Sequence, residues 1–263
     1  MDAQTIKTLA DRLIAAEESR EPVEVLTIDH PDMTVADGYR VQLAIADKRT
    51  ARGDRVVGKK IGLTSRANQE VFGVHEPVCG QLMGQGVYME GTPVDTASLI
   101  QPIIECEITF VMCRRIEGPG VTVPQVLRST EGIMPSLELG DSRMRDWIGR
   151  AKVADILADS CGTAGIIVGG ELHSVKNFDM RYTGMVVEKN GDIIATGAAG
   201  AVMGNPAQAV AWLANKLAEF DLAIEEGDMV LAGALTGAVR MASGDVLKAT
   251  FGGGLGPVGV NFA

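Results

Sequence analysis

Two glutamates one residue apart lie inside an apolar run of the chain, and their side chains are well suited to metal chemistry. The run is Ile103-Ile104-Glu105-Cys106-Glu107-Ile108-Thr109-Phe110-Val111. Because side chains alternate between the two faces of a strand, Glu105 and Glu107 share one face. The apolar flanks predict a core strand, so both carboxylates point into a sheltered space. Like charges this close raise the pKa of at least one group, and a divalent cation removes that conflict.

A third carboxylate occurs in similar surroundings. Glu138 stands between two leucines in Pro135-Ser136-Leu137-Glu138-Leu139. Three carboxylate oxygens, completed by waters, suit a hard cation such as Mg²⁺ or Mn²⁺. The lack of a histidine and cysteine cluster in the sequence argues against zinc. The alternative is that Glu105 and Glu107 form a solvated strand face paired with lysines, and the residues alone leave both interpretations open.

The composition excludes several classes of function. The chain has 263 residues, 46% of them hydrophobic, which is enough for one large domain or a domain with a smaller appendage. A net charge of −10 argues against a nucleic-acid partner, because phosphate binding needs a basic surface. No apolar run reaches the roughly 20 residues of a membrane helix, and the N-terminus lacks a signal-peptide pattern. We expect a cytoplasmic protein with no membrane partner and reduced cysteines.

Helical periodicity dominates the first ~50 residues. Ile6, Leu9 and Leu13 fall at helical spacing, and the pair Thr34 and Asp37 is typical of a capping box that begins a second helix. This part of the chain is predicted to be a helical N-terminal arm over residues 1–55.

From about residue 56 short apolar runs alternate with glycine and proline. Asn190-Gly191 between two such runs predicts a hairpin. One helix interrupts the region, with Asn205 as its cap and Pro206 in its first turn. The pattern predicts an α+β fold, in which a β-rich metal-binding domain occupies residues 56–263. The runs predicted to be strands are VVGKKIGL, IIECEITFVM, GIIVGG, GMVVEKNGDIIATG, DMVLAGAL, DVLKATF and PVGVNF.

Several separated segments occur in the order of a known family. They are Pro31-Asp32-Met33-Thr34-Val35-Ala36-Asp37, Gly58-Lys59-Lys60-Ile61-Gly62-Leu63-Thr64-Ser65, Glu105-Cys106-Glu107, Glu138 followed by Asp141-Ser142-Arg143, and Gly233-Ala234-Leu235-Thr236. Together they resemble the 2-oxopent-4-enoate hydratase and 4-oxalocrotonate decarboxylase family, within the fumarylacetoacetate hydrolase superfamily. The resemblance runs over nearly the whole chain, and motifs in the right order are more specific than any one alone.

The resemblance implies a mixed, β-rich fumarylacetoacetate-hydrolase-like fold and a homo-oligomer. It implies that Glu105, Glu107 and Glu138 bind Mg²⁺ or Mn²⁺, and that Lys60 is the catalytic lysine. Strand alternation puts Lys59 and Lys60 on opposite faces, so Lys59 is expected to be an exposed surface lysine. The residues expected around the substrate are Leu63, Thr64, Ser65, Arg143, Thr163 and Thr236.

Arg143 has two interpretations. Its planar guanidinium suits a distal carboxylate of the substrate. Alternatively, it forms an ion pair with Asp141 or Asp146, its neighbours in the sequence.

The family resemblance implies a lyase that acts on a small 2-oxo or 2-hydroxy dienoic acid in aromatic meta-cleavage catabolism. We expect decarboxylation of 4-oxalocrotonate (2-oxohex-3-enedioate) to 2-hydroxypenta-2,4-dienoate, because Val78 stands where the hydratases have an aspartate. The alternative is a hydratase that adds water to a 2-hydroxydienoate, which the segment from Arg143 to Trp147 resembles more closely. Ser160, Gly162 and Asn205 depart from the family pattern and leave the exact substrate open.

Two further classes of function are less compatible with the sequence. A C–C bond hydrolase needs a general base for water beside the metal, and no histidine lies in a segment that matches this role. A non-catalytic subunit, which would stabilise a related hydratase or decarboxylase, has no need of three intact carboxylates and Lys60. A complex with such a related enzyme is nevertheless expected from the family resemblance.

Overall fold

The computed structural model describes residues 1–176 and 178–263, which form seven α-helices and twelve β-strands. None of the helices in these residues is both long and apolar enough to span a bilayer. The helices are α1 (Ala3–Ser19), α2 (Leu26–Asp29), α3 (Val35–Ala51), α4 (Arg66–Val71), α5 (Val123–Arg128), α6 (Val153–Ala158) and α7 (Pro206–Leu217). The strands are β1 (Val56–Gly62), β2 (Val78–Met83), β3 (Val87–Met89), β4 (Ile103–Met112), β5 (Thr130–Gly140), β6 (Thr163–Val168), β7 (Gly184–Lys189), β8 (Asp192–Ala198), β9 (Met229–Leu231), β10 (Val239–Arg240), β11 (Val246–Phe251) and β12 (Gly256–Asn261).

The N-terminal helices begin where the sequence predicts. Thr34 and Asp37 form the capping box of α3, because each side chain bonds the backbone N–H of the other. Ile6, Leu9 and Leu13 of α1 are buried in a cluster shared with α3 and α6. Since α6 comes from the later part of the chain, the domain division at residue 55 stays a prediction.

A mixed eight-stranded sheet forms the centre of the protein. Its strand order is β2-β1-β9-β4-β5-β6-β3, and β10 also pairs with β4. The pairs β1/β9 and β3/β6 are parallel, whereas β4 is antiparallel to β5, β9 and β10. Mixed pairing with separate helical segments is an α+β architecture, so the predicted fold class is confirmed.

A second sheet of four antiparallel strands has the order β12-β11-β7-β8. The predicted hairpin turn joins β7 to β8, with φ of 54° at Asn190 and 90° at Gly191. Positive φ at both positions is the geometry of a type I′ turn. The predicted cap of α7 is also present, because the Asn205 side chain accepts a hydrogen bond from the Ala207 N–H at 3.0 Å.

Strand β4 separates two environments. Ile104, Ile108 and Phe110 on one face are fully buried in the main core, which includes α7 and the second sheet. The other face carries the carboxylates, and beyond them a smaller apolar cluster that includes Leu231 and Ile166. The alternation predicted from the sequence therefore directs Glu105 and Glu107 away from the main core.

The sequence pattern did not predict β5, which carries Glu138. Gly132, Pro135 and Ser136 interrupt its apolar pattern and lower its intrinsic strand propensity. The strand forms because it pairs with β4 along almost its whole length, from Gly140 to Thr130. Long-range pairing thus overrides weak local preference.

Candidate metal and substrate site

The register between β4 and β5 brings three glutamates together. Glu105 lies directly opposite Glu138, and Glu107 follows on the same face of β4. One carboxylate oxygen from each residue lies within 4.8 Å of the others. Glu107 and Glu138 are 0% and 1% exposed, whereas the Glu105 side chain is 26% exposed. The cluster therefore opens to the outside on the side of Glu105.

Each of the two buried carboxylates has one oxygen bonded to the protein and one oxygen without a partner. Glu107 Oε2 accepts a hydrogen bond from the Gly233 N–H at 2.7 Å, and Glu138 Oε1 accepts one from Thr163 Oγ1 at 2.9 Å. Glu107 Oε1 and Glu138 Oε2 are buried without a hydrogen-bond partner in the described part of the chain. Leaving such oxygens unpaired is costly, and outer hydrogen bonds that orient a carboxylate are typical of metal ligands. The donor set thus fits a hard divalent cation.

Lys60 is the cation that the protein itself supplies to this cluster. Strand β1 lies beside β9, which in turn pairs with β4, so Lys60 faces the carboxylates. Its Nζ lies 2.9 Å from Glu138 Oε1 and 4.0 Å from Glu105 Oε2, and the residue is 3% exposed. One ammonium against three carboxylates leaves an excess of two negative charges, which a divalent cation balances.

The negative charges of the three glutamates raise the pKa of a neighbouring carboxyl group, as the sequence predicted. Burial raises the pKa of the Glu107 carboxyl well above its usual value, and the negative charges of Glu138 and Glu105 raise it further. Burial also raises the pKa of Glu105, although Lys60 opposes this shift. Burial disfavours the charged form of Lys60, but Glu138 and Glu105 outweigh it and raise the lysine pKa. Lys60 is therefore an ammonium at neutral pH.

Lys59 was expected to be an exposed surface lysine, and this expectation is wrong. The side chain lies on the opposite face of β1, as alternation requires, but Lys59 is only 5% exposed. Its Nζ donates a hydrogen bond to Asp228 Oδ2 at 2.6 Å, which neutralises the buried charge. Because the partner is 169 positions away in the chain, no local pattern could have indicated the pair.

Two of the threonines expected around the substrate adjoin the carboxylates. Thr163 donates to Glu138, as described above. Thr64 packs on the loop that binds Glu107, because a Cβ placed on Gly233 would lie 2.5 Å from Thr64 Oγ1. Glycine at position 233, with φ of 127°, is therefore required by this close approach.

The other expected substrate residues lie on the adjacent loops. Leu63 directly follows β1, has a left-handed backbone with φ of 54°, and is partly buried against the main core. The Ser65 hydroxyl caps α4 by accepting a hydrogen bond from the Asn68 N–H at 3.2 Å. Thr236 is half-buried, and its methyl group would lie 2.8 Å from a Cβ placed on Gly197. Contact of these three residues with substrate stays a prediction.

Arg143 is buried, and its guanidinium is bound within the protein. Nε lies 2.6 Å from Asp159 Oδ1, so the ion-pair partner is Asp159 rather than the expected Asp141 or Asp146. The terminal nitrogens donate to the backbone carbonyls of Asp141, Thr163 and Asp159 at 2.6 to 3.1 Å. The guanidinium therefore fixes the chain around Thr163, and these contacts leave it poorly placed for a substrate carboxylate.

Val78 forms an aliphatic wall beside Lys60. The side chain is 3% exposed, and a Cβ placed on Gly62 would lie 3.2 Å from Val78 Cγ2 and 3.7 Å from Lys60 Nζ. Position 78 therefore supplies an aliphatic side chain here, in place of a carboxylate that could direct water or carry protons.

The three other departures from the family pattern have structural roles. Ser160 Oγ accepts a hydrogen bond from the Gln81 N–H at 3.2 Å, which joins its loop to β2. Gly162 has φ of 73°, a conformation that favours glycine. Asn205 is the cap of α7, as described above.

Comparison with known proteins gives a consistent result. The family model for the fumarylacetoacetate (FAA) hydrolase C-terminal region matches residues 58–262. The chain is 39% identical to a 2-hydroxyhexa-2,4-dienoate hydratase from Comamonas testosteroni, over 93% of this chain and 92% of the relative. It is also 39% identical to a 4-oxalocrotonate decarboxylase from Pseudomonas sp. strain CF600, over 94% and 93%.

A solved structure is similar over the full length. It is the 4-oxalocrotonate decarboxylase from Pseudomonas putida G7, complexed with magnesium and adipate, which superimposes with a TM-score of 0.96. The two sequences are 35% identical, and the match covers 100% of this chain and 99% of the other.

Substitution of a buried glutamate is expected to abolish metal binding. Glu107→Gln and Glu138→Gln should each weaken Mn²⁺ binding by more than the roughly 10- to 100-fold typical of losing an outer-shell partner, because each removes a charged ligand. Glu131→Gln, an exposed position on the same strand as Glu138, is the control and should bind as the wild type does. Calorimetric titration measures the affinities. Wild-type affinity in both buried variants would contradict the assignment of these ligands.

Substitution of Arg143 is expected to affect stability rather than substrate affinity. Arg143→Gln should lower the free energy of unfolding by about 3–5 kcal/mol, because it leaves Asp159 buried without its ionic partner. Arg145→Gln, at an exposed ion pair with Glu24, should lower it by less than about 1 kcal/mol. Urea denaturation measures both values. An Arg143→Gln variant of normal stability but raised KM would instead indicate that Arg143 binds substrate.

Proposed function

The chain belongs to the fumarylacetoacetate hydrolase family, as the resemblance in its sequence indicated, and we propose that it is a Mg²⁺- or Mn²⁺-dependent decarboxylase. Its proposed reaction converts 4-oxalocrotonate (2-oxohex-3-enedioate) to 2-hydroxypenta-2,4-dienoate, within aromatic meta-cleavage catabolism. The observation that carries the proposal is the cluster of three glutamates and Lys60, with two buried carboxylate oxygens that lack a partner among the residues that the structure describes. The similarity to the magnesium-bound decarboxylase of P. putida G7 supports it.

In this proposal Glu105, Glu107 and Glu138 hold the divalent cation. A cation there supplies Lewis-acid stabilisation of the negative charge that develops on the substrate C2 oxygen. The Gly233 N–H and the Thr163 hydroxyl keep two of the carboxylates oriented before the substrate arrives. Preorganised groups of this kind need little rearrangement when charge moves in the transition state.

The electrons that remain after CO₂ departs determine what Lys60 must do. Cleavage of the C5–C6 bond leaves an electron pair at C5, which is conjugated through C3–C4 to the C2 oxygen. The ammonium of Lys60 stabilises the resulting negative charge and donates a proton to the C2 oxygen, which gives the 2-hydroxy product. Its Nζ lies 2.9 Å from Glu138 Oε1, a contact that favours the protonated ammonium form.

Val78 favours decarboxylation over hydration. Addition of water to the far double bond requires a polar group that orients the water and moves its proton. The wall that Val78 forms beside Lys60 offers neither. The hydratase is the second candidate, because the relative from C. testosteroni is a hydratase at the same 39% identity as the CF600 decarboxylase.

The other two alternatives gain no support from the site. A C–C bond hydrolase needs a general base for water, and the histidines at positions 30, 75 and 173 do not belong to the carboxylate cluster. A non-catalytic subunit would not need three clustered glutamates, two of which have a buried oxygen without a partner in the described residues.

We further propose a cytoplasmic homo-oligomer. Ile193 and Ile194 of β8 are 68% and 44% exposed, on the outermost strand of the second sheet. Exposed aliphatic side chains on an unpaired sheet edge are typical of surfaces that associate. A complex with a related hydratase, which would use the dienoate product, stays a proposal from the family resemblance.

Release of CO₂ tests the proposed reaction. Wild-type protein with Mg²⁺ and 2-oxohex-3-enedioate should release CO₂, and chelation of the metal should stop the release. Glu107→Gln should lower kcat/KM at least about 100-fold, since it removes charge stabilisation that acts in the transition state. Glu131→Gln should retain activity. If metal-loaded protein releases no CO₂ but consumes 2-hydroxypenta-2,4-dienoate, the activity is that of a hydratase.

A further inference from the structure

A small cavity is lined in part by Ile103, which precedes Glu105 by two residues on β4, and the reaction proposed above assigns this cavity no role. Its volume is about 190 Å³. The residues that line it are Gln101, Ile103, Asp146, Trp147, Ile148 and Arg240. The cavity therefore combines three apolar side chains with one cationic, one anionic and one amide side chain.

The strand register relates this cavity to the metal ligands. Ile103 precedes Glu105 by two residues on the same face of β4, a separation of about 6.6 Å along the strand. Arg240 of β10 lies directly opposite Ile103 in the antiparallel pair, so its side chain projects from that same face. Glu105 is the partly exposed ligand, and on β4 it is closer to Ile103 than Glu107 is, so the exposed ligand is the one nearest to Arg240 along the strand.

The charge of Arg240 is not used elsewhere in the described part of the chain. Its guanidinium has no carboxylate within salt-bridge distance there, and its backbone carbonyl alone is engaged, by Lys189 Nζ at 2.8 Å. By contrast, Arg143 is paired with Asp159, and Arg145 and Arg150 on the nearby segment are paired with Glu24. In a chain with a net charge of −10, the exposed guanidinium of Arg240 is a local positive charge that can attract an incoming anion.

We infer that Arg240 binds the distal carboxylate of a 2-oxo dicarboxylic acid whose 2-oxo acid end lies at the three glutamates. The inference rests on the proposed function for the position of that first end. Arg240 lies opposite Ile103, and Ile103 is two strand residues away from Glu105. This separation is similar to the length of a six-carbon chain. Trp147 and Ile148 cover the hydrocarbon part, and Arg240 supplies a planar, two-pronged partner for the carboxylate.

In this arrangement Arg240 determines which substrate binds and does not increase the rate of the chemical step. The distal carboxylate is the group that leaves as CO₂, so its pairing with a guanidinium stabilises the bound substrate at least as much as the transition state. Such an interaction lowers KM without raising kcat.

Two saturated ligands isolate the contribution of the distal carboxylate. 2-Oxoadipate and 2-oxohexanoate share the 2-oxo acid end and the chain length, and they differ by one terminal carboxylate. Neither has the double bond that the proposed decarboxylation requires, so binding is measured without turnover. In the presence of Mg²⁺, calorimetry on the wild type should show about tenfold or greater preference for 2-oxoadipate, as expected of a charge-assisted, bidentate contact.

Arg240→Gln should reduce this preference to about twofold or less and leave the affinity for 2-oxohexanoate unchanged. Arg145→Gln is the matched control, because it removes a nearby exposed arginine that is already paired with Glu24. It should keep the wild-type preference. With 2-oxohex-3-enedioate as substrate, Arg240→Gln should raise KM about tenfold without lowering kcat.

The possible failures of the two proposals are distinguishable. A wild type that binds both ligands equally, or an Arg240→Gln variant that keeps the preference, overturns the inference even if CO₂ is released. A preference that depends on Arg240 supports the inference even if no CO₂ is released, in which case the site takes a dicarboxylic acid for a different reaction.

Discussion

Repulsion among three carboxylates in a buried space is the constraint on which the rest of this structure depends. Burial alone raises the pKa of Glu107, and the two neighbouring glutamates raise it further. Lys60 compensates one of the three charges, and the Gly233 N–H and the Thr163 hydroxyl bond one oxygen each. The near-continuous pairing of β4 with β5 holds the glutamates in place despite their repulsion, because the opposite face of β4 is anchored in the main core.

The same constraint connects the site to its proposed chemistry. A cluster with an excess of negative charge and unpaired oxygens binds a divalent cation, and the cation then attracts the anionic end of an oxo acid. The surrounding residues divide the remaining tasks. In the proposed reaction Lys60 donates the proton and Val78 offers no group that would direct water, whereas Arg143 with Asp159 fixes the loop that presents Thr163. The proposal thus assigns catalysis to Lys60 with the three glutamates and stability to the Arg143–Asp159 pair.

Local patterns in the sequence predicted those features that depend on neighbouring residues. Alternation along β4 placed Glu105 and Glu107 on one face, and the capping box at Thr34 and the Asn190-Gly191 turn were located correctly. Features that depend on distant pairing were missed. They include strand β5, the Lys59–Asp228 pair, the Arg143–Asp159 pair and the position of Arg240 opposite Ile103. The register of the sheet positions β5 and Arg240, and the segments that flank the strands bring the two ion pairs together, so each of these features depends on the whole fold.

The most direct test of the central claim is a crystal structure of the protein grown with Mn²⁺, with the metal located by its anomalous scattering. The account predicts one strong peak with oxygens of Glu105, Glu107 and Glu138 at about 2.0–2.2 Å, the distance expected for a small divalent cation. It also predicts that Lys60 stays beside the cluster. A fully loaded crystal with its manganese bound elsewhere, or with Lys60 occupying the space between the carboxylates, would contradict the account.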